Sequence, residues 1–165
     1  MILEKYTSDY TKALEQLIVR IATELYSKKR ETAEKWLDIF LNEKSEHCRL
    51  MGVEFLHRSI FLDCKSFENY FEFVEANFCD NKVLWEALIP VYAQYLLNKN
   101  NDLYKESVKK RLYEIKDSYL REKRIFLQSI MYYIQKSQDI VDVIEKITNV
   151  SFEKDSQILQ QLDYY

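Results

Sequence analysis

Apolar positions recur along this chain at intervals of three and four residues, and the elements they predict are helices. Tyr10, Leu14, Leu17, Ile18, Ile21 and Leu25 form the first such stripe and predict a helix over about residues 8–26. After the polar break Ser27-Lys28-Lys29-Arg30, a second helix carries Ala33, Trp36, Leu37, Phe40 and Leu41, and a third spans about 46–62. The same spacing places further helices at about 67–78, 82–97, 102–116, 119–135, 138–148 and 156–163, nine in all. Taken in order they make an N-terminal helix followed by four hairpins, and with no linker between them residues 1–165 read as a single domain.

Residues that can start helices keep a nearly constant step. Ser45, Asn81, Ser118 and Asp155 stand 36, 37 and 37 apart, while Ser66, Asn101 and Ser137 fall between them at 35 and 36. Each has a side-chain oxygen able to accept from the free N–H groups of a first helical turn. A helix pair thus recurs about every 36 residues, at the short edge of the HEAT and armadillo range and just above the tetratricopeptide one. The expected fold is all-α, an α-α superhelix of HEAT-like helix hairpins.

Composition agrees. One glycine, Gly52, and one proline, Pro90, leave almost nothing to build hairpin turns or phosphate-cradling loops. Pro90 falls inside the helix over 82–97, where it removes a backbone hydrogen bond and predicts a kink. Gly52 falls mid-helix, where it predicts close approach of another helix. No apolar run approaches the ~18 residues of a membrane span. The start Met1-Ile2-Leu3-Glu4-Lys5 lacks the charge and apolar run of a signal peptide, and Cys48, Cys64 and Cys79 form no CxxC, so a cytoplasmic protein with reduced thiols is expected.

Charge suggests one candidate surface on a chain of net charge −3. Residues 105–124 hold eight bases and four acids, a local +4, against −7 over the other 145 residues. Lys109, Lys110, Arg111, Arg121, Lys123 and Arg124 are the candidate phosphate contacts. The competing reading is a solvated face of ordinary ion pairs, such as Glu106 with Lys109 or Lys110. Catalytic and metal constellations are weak: His47 and His57 lie ten apart on one predicted helix, about 80° apart around its axis, and no cofactor is expected. Most of the 24 aromatic rings lie on the apolar stripes, but the adjacent pairs Tyr132-Tyr133 and Tyr164-Tyr165 must each expose a ring.

Three stretches carry a resemblance. Cys48-Arg49-Leu50-Met51-Gly52-Val53-Glu54-Phe55-Leu56 is similar to the second helix of a HEAT repeat. Leu84-Trp85-Glu86-Ala87-Leu88-Ile89 takes the place of a Trp-Trp-Asp-x-x-Asp segment, and 119–128 that of a Trp-Leu-x-Arg-x-Ala-Ile-Leu-x-Gln helix. Over about residues 46–163 the order of these features resembles the DNA alkylation repair family of HEAT-like glycosylases. By that resemblance the family's catalytic aspartate falls on Ile89, one paired tryptophan on Leu84 and an arginine on Glu122, while Trp85, Tyr119 and Arg121 are kept. The resemblance implies a catalytically inactive relative that binds DNA, with Trp85 and Tyr119 as groove aromatics. The residues read without it imply a non-enzymatic interaction module that holds a protein or peptide on a concave face. An enzyme whose site is assembled only in three dimensions is the third reading.

Overall fold

The structure is a computed structural model and describes residues 2–98, 103–117, 120–130 and 137–148. Among them are eight α-helices, one 3-10 turn and no strand, so the fold is all-α: α1 (Ile2–Lys28), α2 (Arg30–Asn42), α3 (Glu46–Ile60), α4 (Lys65–Phe78), α5 (Lys82–Leu97), α6 (Lys105–Tyr113), the 3-10 turn Glu114–Asp117, α7 (Leu120–Ile130) and α8 (Gln138–Thr148). The bounds of α5 and α8 are those expected from the sequence, whereas the helix expected over 102–116 tightens into the 3-10 turn after Tyr113. The ninth helix, the caps Asn101, Ser118 and Asp155, and both tyrosine pairs lie outside the described residues. No helix among the described residues is long and apolar enough to cross a membrane. Between Phe67 and Glu68 the chain divides into two compact units.

In the first unit α1 packs on α2 and α3, and these pack on each other. Ala33, Leu37 and Leu41 line the inner face of α2 at four-residue steps, opposite Val53, Phe55, Leu56 and Ile60 of α3. The Ser45 hydroxyl accepts from the N–H of Cys48, the capping role expected of it. Gly52 supplies the close approach its position predicts, because a Cβ there would stand 2.6 Å from Leu41 Cδ2 and 3.2 Å from Phe40 Cβ.

Two expectations are corrected in this unit. From residue 11 on, the buried residues of α1 are Val19, Ala22 and Tyr26, and Leu14, Leu17 and Ile21 of the expected stripe are exposed. Apolar residues cover more than one side of this helix, and its two neighbours cover only one. Ser66 does not cap α4 but lies within its first turn, buried, where its hydroxyl donates to the Tyr26 phenol oxygen. The carboxylate of Asp63 accepts from the Lys65 N–H at 2.9 Å instead.

The second unit is built around α5. Leu84, Leu88, Ile89, Val91, Tyr92, Ala93, Tyr95 and Leu96 are buried on several sides of it, as a helix wrapped by others requires. Asn81 caps it, its side chain accepting from the N–H groups of Val83 and Leu84. α5 runs on through Pro90 to Leu97. Its partners are α6, α7 and α8, and α6 in turn packs on α8. α4 lies antiparallel to α5, with Phe71 against Tyr92 and the Tyr95 hydroxyl donating to Glu68 at 2.8 Å.

Candidate functional site

The expected candidates meet their surroundings through α5, where Trp85 sits half-buried one turn into the helix. The Arg111 guanidinium, from α6, lies 5.8 Å from the centroid of the Trp85 ring, a cation–π distance. It also bonds Glu75 on α4 at 3.2 Å and Glu114 at 2.7 Å. Burial works against its charge, and the Glu114 and Glu75 carboxylates outweigh that and raise its pKa.

Glu75 is the hub of this cluster. One of its oxygens takes the Arg111 bond, and the other accepts from the Tyr92 hydroxyl and, at 3.4 Å, from the Cys79 thiol. Tyr92 stands edge-on to Trp85 at 5.7 Å, which closes the ring of contacts. Burial raises the Tyr92 phenol well above its ordinary value. Burial also pushes the Cys79 thiol up to about 11, so at neutral pH it is a donor to Glu75 and not a nucleophile. Alkylation with iodoacetamide at pH 8 is therefore expected to be slower at Cys79 than at a free thiol by about tenfold or more. Peptide mapping after timed quenching measures this, and a rate equal to that of free cysteine contradicts the geometry.

The six expected phosphate contacts separate into two groups. Lys109, Arg111 and Arg121 are held by carboxylates of the chain itself. Lys109, only 8% exposed, bonds Asp139 at 3.2 Å and Asp142 at 3.0 Å on α8, with Glu106 at 4.0 Å. Burial opposes its charge, but Asp142 and Asp139 raise its pKa overall. Arg121 on α7 bonds Glu86 on α5 at 2.8 Å. Lys110, Lys123 and Arg124 make no ion pair among the described residues, and Lys110 and Arg124 are exposed. Tyr119, the other expected groove aromatic, lies outside the described residues.

The counter-charges Glu75, Glu86, Asp139 and Asp142 were missed from the sequence, and a signal for them exists. Glu75 and Arg111 are 36 residues apart, Glu86 and Arg121 are 35, and Lys109 and Asp142 are 33. Opposite charges separated by about one helix-pair step fall on helices that pack side by side. Pairing the bases with acids 35 or 36 residues away finds Glu75 and Glu86, while the partners of Lys109, at 30 and 33, fall short of that step.

Among the described residues, two buried carboxylate oxygens have no hydrogen-bond partner, one on Glu86 and one on Glu122. Glu122 is 6% exposed and shares the inner face of α7 with Phe126 and Ile130. A buried polar atom left unpaired costs about 1–3 kcal/mol, so Glu122→Leu is expected to stabilise the protein by about 1–2 kcal/mol. A urea midpoint that stays or falls in this variant shows that the carboxylate has a structural use.

Ile89, where the alkylation repair resemblance places a catalytic aspartate, is fully buried in the core. His57 has its pKa lowered by burial, and His47 lies 2.5 Å from Glu15. No group of three His, Cys, Asp or Glu among the described residues is arranged to hold a metal ion. No known protein family, curated protein or solved structure matches the chain.

Proposed function

We propose that this protein is a non-enzymatic helical-repeat module of the cytoplasm, built of stacked HEAT-like hairpins and holding a protein or peptide partner on an inner, concave face. Repetition is supported by the way α5 packs on α7 and α6 on α8, with the ion pairs of Arg111 and Arg121 one helix-pair step apart. The observation that carries the choice of partner is the internal neutralisation of Lys109, Arg111 and Arg121. Phosphates would have to displace carboxylates that already hold Lys109 and Arg111, whereas Arg121, paired with Glu86, keeps 72% of its side chain exposed. Meanwhile large apolar side chains, Leu14, Leu17, Ile21 and Ile39 among them, remain exposed, as a surface for another protein requires.

The second reading, a catalytically inactive DNA-binding relative of the alkylation repair family, keeps Lys110, Lys123 and Arg124 as free bases. Fluorescence anisotropy with a labelled duplex at about 50 and about 200 mM salt separates the two. No binding is expected at the lower salt. Saturable binding with a log–log salt slope of about −0.9 per phosphate contact, lost on reversing the charge of Lys123 and Arg124, overturns the protein-partner reading.

A further inference from the structure

We draw no further inference here: the strongest candidate, the exposed apolar strip of Leu14, Leu17 and Ile21 along α1, is an unpartnered helix face, and nothing in the structure shows what covers it.

Discussion

Gly52→Leu is expected to unfold the first unit at markedly lower denaturant than the parent, with a cost of about 3 kcal/mol or more. Gly52 is buried where α3 crosses α2, and the first carbon of any side chain there meets Leu41 Cδ2 at 2.6 Å, Leu41 Cγ at 3.1 Å and Phe40 Cβ at 3.2 Å. Leu41 is itself fully buried, so swinging its methyl aside displaces other core groups, and the Phe40 Cβ is fixed by its backbone. Gly52→Ala provides the graded comparison. Alanine gains about 1 kcal/mol of helix propensity, and the crowding exceeds that gain, so a net loss of about 1 kcal/mol is expected. Trp36 belongs to this unit and Trp85 to the other. In a Trp85→Phe background, Trp36 fluorescence during urea unfolding therefore reports the first unit alone. A Gly52→Leu midpoint equal to the parent's would show that the two helices do not approach closely.

Lys109→Glu is expected to release α8 from α6. Lys109 lies among Glu106, Asp139 and Asp142, with Lys105 also on Asp139 at 2.9 Å, so reversal adds a fourth carboxylate beside three, of which Asp139 is the least exposed. Breaking a buried ion pair costs about 3–5 kcal/mol. Asp142 is 39% exposed, and solvent screening lowers the expectation to about 2–4 kcal/mol. Hydrogen exchange is the direct measurement: amides of residues 138–148 are expected to lose protection, while those of α2 and α3 keep theirs. Unchanged protection in α8 would contradict the bridging role. Lys109→Met removes the charge without reversing it, and pH then gives a second readout. A hydrogen bond from Gln138, followed by Lys109, holds the Asp142 carboxyl below its ordinary value. Stability from a carboxyl lowered in the folded state is present above its unfolded pKa and is lost as pH falls through the folded one. The methionine variant is expected to show a weaker loss of stability on acidification below about pH 4, because its Asp142 is less depressed to begin with.

Several features were legible in the residues before any coordinates. Asn81 and Ser45 announce α5 and α3 because a capping oxygen acts on N–H groups two or three residues away, within one turn. Gly52 announces a close crossing because a missing side chain in mid-helix has few other uses. The same local logic misread Ser66. It lies near a helix start, but a phenol from Tyr26, 40 residues earlier, claims its hydroxyl. On α1 the spacing of Leu14, Leu17 and Ile21 is that of a buried stripe, and so is that of Val19, Ala22 and Tyr26. Periodicity finds the faces of a helix but does not say which one its neighbours cover.

Charge shows the same division. Eight bases within twenty residues are plain in the sequence, but whether they form one surface depends on which acids each can reach. Lys109 turns to α8, Arg111 to α4 and Arg121 to α5, in three directions from neighbouring stretches of chain. By itself the sequence determined what is local: helical character, the starts of α3 and α5 and the supply of charge. Only the tertiary structure decided what those helices bury, which bases are paired with internal carboxylates and which apolar side chains stay exposed. Burial and ion pairing join residues 30 to 40 positions apart, and no interaction within a single turn encodes them.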